Sequence, residues 1–256
     1  MCYYKKEVEK SDILIIRENR IKLDNVDAKY ALNYEGNNKI FRDALYFDLE
    51  HCVYKVPICV GVFGCCYYDE KNNDVVITQY MIEGKSDVKE ILVMAKEYFL
   101  KMYNKYNKRY IVTFSGNNDF SVINALLLKY KVNINIRELF KEVDLQIEFK
   151  KATDTCIGLK NLENLFGIHR EGEVISGTNL AKTFSKIVKD PFYYSRMPAE
   201  KKEKILIYNE QDVANLVKIN LLWNKIMPNC IQKIKAEKLD MEQKRKNEEK
   251  SKANSE

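Results

Sequence analysis

The segment ALYFDLE, residues 44–50, decides how this chain folds. Its apolar run from Ala44 to Leu49 has strand character, and strand side chains alternate between faces, so Asp48 and Glu50 point the same way. A DxE in a strand is, by itself, an ordinary solubility feature of a sheet edge. Its meaning depends on which other groups the chain brings to the same place.

Two more acids and a phenol answer that question. Asp119 lies in FSGNNDF, residues 114–120, where a predicted buried strand from Tyr110 to Phe114 meets a predicted helix from Phe120 to Tyr130. Ligands of open α/β sheets collect beyond the carboxyl ends of strands, which is where such a junction falls. Tyr208 and Asp212, in YNEQDV, are four apart in a segment of helical periodicity from Ala199 to Met227, so they share one helix face. Four acids drawn together repel one another, and at least one has to stay protonated at neutral pH unless cations intervene. Two hard cations about 3.5–4 Å apart on oxygen ligands stabilise both the attacking and the leaving oxygen of a phosphodiester displacement. Hydrolysis of nucleic acid is the natural use of such a set.

The order DxE, then Asp, then Tyr-xxx-Asp resembles that of the DEDD-type 3′–5′ exonucleases, tyrosine subclass. The stretch GLKNLENLFGIHREGEVISG, Gly158 to Gly177, further resembles the segment before the final helix in the YprB-like RNase H-like domains. The likeness covers roughly Ala44 to Trp223. It implies an α/β fold of the RNase H-like (DnaQ-like exonuclease) type, a mixed sheet flanked by helices. It also implies that Asp48, Glu50, Asp119 and Asp212 bind two ions of magnesium or manganese, while Tyr208 orients the attacking water. An ordinary tyrosine, with its pKa near 10, is a poor base at neutral pH, so positioning is the role expected of it. The implied activity is release of nucleoside 5′-monophosphates from the 3′ ends of single-stranded DNA or RNA. This chain departs from the family pattern in the DLEH that follows the first acid and in the Asn118 that precedes Asp119. Two other readings keep the fold: a catalytically inactive nucleic-acid-binding module, and an RNase H-type endonuclease, which lacks the Tyr-xxx-Asp ending.

Composition is compatible with this class. The chain has 256 residues, 46% of them hydrophobic, enough for one substantial core, and a net charge of +6 that suits a phosphate-bearing partner without requiring one. Seven cysteines, Cys2, Cys52, Cys59, Cys65, Cys66, Cys156 and Cys230, include no CxxC pair, and the two histidines, His51 and His169, offer no zinc spacing. Free thiols, a charged amino terminus and no run approaching a membrane span predict a soluble cytoplasmic protein with no membrane partner.

Along the chain, residues 1–43 are expected to form an N-terminal extension packed on the domain edge, 44–228 the RNase H-like exonuclease domain, and 229–256 a charged tail, frayed or disordered. Strands are expected at Ala44 to Leu49, Ile58 to Tyr68, Asp74 to Ile82, Tyr110 to Phe114 and around Val143 to Leu145. Helices are expected from Ser86 or Asp87 to about Tyr106, at Leu159 to Phe166, at Asn179 to Val188 and in the long final segment. Asp144 falls near the sheet in a structural or substrate-contacting role. His169 and Arg170 either meet a phosphate or complement a helix end near Gly167. PFYYSRMP, residues 191–198, with Tyr193 and Tyr194, is the candidate substrate-contacting loop.

Overall fold

The computed structural model describes residues 3–10, 14–24, 26–172 and 175–253. Seven strands form one mixed sheet in the order β1-β2-β5-β4-β3-β6-β7. The strands are β1 (Tyr3–Lys10), β2 (Leu14–Lys22), β3 (Ala44–Tyr54), β4 (Val56–Asp69), β5 (Asp74–Ile82), β6 (Tyr110–Thr113) and β7 (Lys141–Asp144). The β3–β6 and β6–β7 pairings are parallel and the rest antiparallel. The helices are α1 (Asp87–Asn104), α2 (Asn117–Lys129), α3 (Ile136–Leu139), α4 (Leu145–Thr153), α5 (Leu159–Leu165), α6 (Gly177–Lys189), α7 (Tyr193–Arg196) and α8 (Ala199–Ala253). A mixed sheet flanked by helices is the architecture expected from the sequence.

The alternation of β3 sorts the two faces. Leu45, Phe47 and Leu49 enter the core shared with α1, α2 and α6, whereas Ala44 and Tyr46 enter the core shared with α4, α5 and α8. Asp48 and Glu50 continue the second series, so the strand delivers both acids to the face on which α8 lies. Helix α1 buries Val88, Ile91, Leu92, Ala95, Phe99 and Met102 at the predicted helical spacing. Its Asp87 carboxylate accepts the N–H groups of Glu83 and Gly84 at 2.7 and 2.9 Å, tying down the preceding loop.

Three segments go beyond the sequence expectations. Within the expected N-terminal extension, β2 pairs with β5 along its whole length, Leu14 to Ile82 through Lys22 to Asp74. Residues that follow it dock on the long helix, where the Leu32 N–H donates to Asn220 O at 2.8 Å. Helix α4 was not expected: it begins directly after Asp144, whose carboxylate caps it by accepting the N–H of Gln146 at 2.9 Å. The charged carboxyl-terminal stretch, expected as frayed helix or disordered tail, is helical and continues α8 to Ala253. The PFYYSRMP stretch contains the single helical turn α7.

Candidate active site

Asp48 and Glu50 lie in the middle of β3, and the pairing with β4 breaks register between Glu50 and His51. That bulge interrupts the ladder directly after Glu50. Above them runs α8, placed very close to the sheet. Asp48 pairs with Gly64 of β4 and Gly64 with Gln79 of β5, a row of three residues across three strands. Asn209 of α8 spans that row. Its amide oxygen accepts from Gln79 Nε2 at 2.8 Å, and its amide nitrogen donates to Asp48 Oδ2 at 3.1 Å. Gly64 is required because a Cβ there would lie 2.1 Å from Asn209 Oδ1. Gly61 likewise allows the Phe184 ring of α6 to approach the bulge, since a Cβ would meet that ring at 2.3 Å.

One helical turn of α8 separates Tyr208 from Asp212, and both face the same cleft of about 480 Å³ together with Asp48, Glu50, Lys160 and Arg170. Oxygen atoms of Asp48, Glu50 and Asp212 all lie within 4.8 Å of one another. Asp119 does not belong to this trio. It occupies the first turn of α2, is 8% exposed, and stands 3.7 Å from His51 Nε2, which also lies 3.0 Å from Asn118 Nδ2. Asp119 nevertheless acts on the trio, because its charge helps raise the pKa values of Asp48 and Glu50.

Burial is the main cause of every acid's shift, and mutual repulsion adds to it. Asp48 and Glu50 are held well above the usual carboxylate range. Asp119 is pushed up to about 7 by burial and by the charges of Asp212 and Asp144. Asp212 is raised only to about 6, because Arg170 offsets part of the desolvation. Tyr208 is also raised by burial and by the acids around it, so its phenol stays protonated at neutral pH.

Arg170 is the cation bonded to the acids of this cleft. It follows the Gly167 cap of α5 and crosses to the acids, donating through Nη2 to Asp212 Oδ1. It also grips Glu163 through Nε at 2.6 Å and Nη2 at 2.7 Å. Glu163 is 1% exposed and accepts a further bond from Asn215 Nδ2 at 2.9 Å. The Arg170 guanidinium carbon lies 5.3 Å from the centre of the Tyr208 ring. Arg170 thus joins a buried glutamate to the acid cluster. His169 is exposed. Asp144, besides capping α4, accepts the N–H groups of Ser115 at 3.0 Å and Gly116 at 3.1 Å, and so holds the loop that carries Asp119.

Glu163, Asn209, Asn215 and Lys160 were not singled out from the sequence. Glu163 and Asn215 occupy ordinary positions in amphipathic helices, and only the crossing of α5 with α8 joins them. Asn209 carried the one available signal, its place inside the YNEQD motif beside Tyr208.

A mixed, helix-flanked sheet with an acid cluster between its central strand β3 and the long helix α8 defines an RNase H-like α/β protein with a candidate divalent-cation site. A model of the RNase H superfamily matches residues 45–224, and the chain belongs to that superfamily. No curated protein and no solved structure matches it. RNase H-like nucleases use divalent metals, and the fold suggests a hydrolase whose partner is nucleic acid.

Proposed function

We propose that the protein is a metal-dependent 3′–5′ exonuclease of the DEDD type, tyrosine subclass, acting on single-stranded DNA or RNA. The observation that carries this reading is the meeting of Asp48, Glu50 and Asp212 within 4.8 Å, with Tyr208 lining the same cleft. The donor set suits magnesium or manganese: it is all carboxylate oxygen, and it is too repulsive to remain fully ionised alone. Asp48, Glu50 and Asp212 would hold one ion, and Asp119 would complete the set for a second. Bound divalent ions supply Lewis acidity at the scissile phosphate and lower the pKa of water.

The chain's own groups do the rest. The protonated Tyr208 hydroxyl orients the water instead of deprotonating it. Asn209 fixes the rotation of the Asp48 carboxylate, and Arg170 with Glu163 fixes Asp212. Lys160 and Arg170 give the cleft two positive groups suited to the phosphate of a terminal nucleotide. Both belong to the 158–177 stretch on which the likeness to YprB-like domains rests, which supports placing the chain beside them. The six cysteines among the described residues are free thiols, which supports a reducing, cytoplasmic setting. No described helix is long and apolar enough to cross a membrane.

The test is mononucleotide release from 5′-labelled single-stranded DNA and RNA with magnesium or manganese, against EDTA. A ladder shortening from the 3′ end, lost in EDTA, is the expected result, and Tyr208→Phe should lower kcat about 10- to 100-fold while leaving manganese binding intact. Intact label with tight binding would sink the enzyme reading in favour of an inactive binding module, and cleavage of a circular strand would assign an endonuclease.

A further inference from the structure

The two places where the chain departs from the exonuclease pattern meet in the structure. One is His51, which directly follows Glu50; the other is Asn118, which directly precedes Asp119. Asn118 Nδ2 lies 3.0 Å from His51 Nε2, and the same ring nitrogen stands 3.7 Å from Asp119 Oδ1.

The strand explains why the histidine meets Asp119 and the glutamate before it meets Asp212. At the bulge, Glu50 pairs with Val62 and His51 with Val60, so the skipped residue is Gly61 of β4 and β3 keeps its alternation. Glu50 joins Asp212 of α8, whereas His51 follows Leu49 toward the face on which Phe120 and Ile123 of α2 are packed. Consecutive residues of one strand thus serve two helices, each with its own aspartate.

The polar contacts of the ring all lie on that side. With the Asn118 amide as donor, Nε2 carries the lone pair, while Nδ1 is buried and has no hydrogen-bond partner among the described residues. A nitrogen and an oxygen bonded to one ion at about 2.0–2.2 Å stand about 3–4 Å apart. The observed 3.7 Å suits two ligands of a shared cation.

We propose that His51 Nε2 joins Asp119 as a ligand of the second cation, which makes that half of the site a mixed nitrogen and oxygen one. The inference rests on the two-ion reading of the acid cluster. Imidazole is a donor for transition-metal ions, whereas magnesium takes oxygen ligands in strict octahedral geometry. The His51 half therefore selects manganese over magnesium, and the all-carboxylate half accepts either. In the metal-free protein Asn118 holds the ring in place.

The test is calorimetric titration of the full chain with manganese, and pulsed EPR at saturation to detect nitrogen bound directly to the ion. Two binding events are expected, with a nitrogen coupling in wild type that His51→Ala lacks. That variant should keep the first event and the unfolding midpoint while weakening the second more than about 10-fold, beyond the least expected of a group that only orients a ligand. Competing magnesium should displace the uncoupled manganese before the coupled one. Should His51→Ala not fold, His169→Ala, at an exposed position, must keep the coupling. Two events without nitrogen coupling would overturn the proposal, and so would a coupling that survives in His51→Ala, which would assign His169 instead. A single event would bring down the two-ion reading, and this proposal with it.

Discussion

Asp212 and Asp119 approach the two β3 acids from different helices, and the molecule treats them in opposite ways. Asp212 is held by Arg170, which is itself anchored on the buried Glu163, so a positive charge stabilises its carboxylate before any ligand arrives. Asp119 has His51 as its neighbour, and burial makes that imidazole less basic than usual. One acid is positioned by an arginine that offsets part of its burial; the other, pushed up to about 7, faces a weakly basic imidazole. The contrast shows that one cluster can contain a fixed half and a conditional half.

The largest effect expected is loss of the cluster itself. Asp212→Asn should reduce metal-dependent hydrolysis about 10³-fold or more, since it removes a ligand and strands Arg170 beside the trio. Asp119→Asn should lower activity comparably but leave a measurable manganese-binding event in calorimetry, because Asp48, Glu50 and Asp212 remain within 4.8 Å of one another. Loss of all binding in Asp119→Asn would break the distinction between the two halves.

The supports of the fixed half come next. Glu163→Gln removes the carboxylate that shares Arg170, so the guanidinium charge falls on Asp212 and opposes a cation there. Manganese affinity should drop about 10- to 100-fold, the range for groups that orient a metal ligand. Asn209→Ala, which frees the Asp48 carboxylate, should cost about 10-fold by the same measure. Unchanged affinity in both variants would reduce these contacts to scaffolding.

The smallest effect is on stability, and its sign is definite. Asp119 and Asp212 have folded pKa values of about 7 and about 6, above the ordinary aspartate value of 3.8. Groups raised in this way contribute stability that is complete below the unfolded value and is lost as pH rises through the folded one. The metal-free protein should therefore melt a few degrees lower at pH 8 than at pH 5.5, by about the shift a 1–2 kcal/mol change produces in a chain of this size. Asp119→Asn should flatten the upper part of that curve, and magnesium should raise the midpoint more at pH 8 than at pH 5.5. A wild-type midpoint that rises with pH would show that the acids are ionised in the metal-free protein.

Several parts of this architecture are legible from local pattern. The shared face of Asp48 and Glu50 on β3, the helical spacing of α1 and the four-residue step from Tyr208 to Asp212 follow from backbone periodicity, so each can be read without neighbours. Helix α4 is not legible in the sequence because Asp144 both ends β7 and caps the helix, and an expected strand running on to Leu145 hides its start. The pairing of β2 with β5 escaped for a different reason. A strand with both polar and apolar residues, burying Arg17 and Asn19, does not alternate in a way that announces a place in the sheet.

The sequence by itself determined the chemical identity of the site: which acids exist, on which element each lies, and which face that element turns. Only the tertiary structure decided how those acids are held. Asn209 reaches Asp48 because Gly64 lets α8 lie against the sheet, and Arg170 reaches Asp212 because α5 crosses the same helix. Periodicity relates residues a few positions apart, whereas these contacts join residues 161 and 42 positions apart, and their geometry exists only after the core has closed.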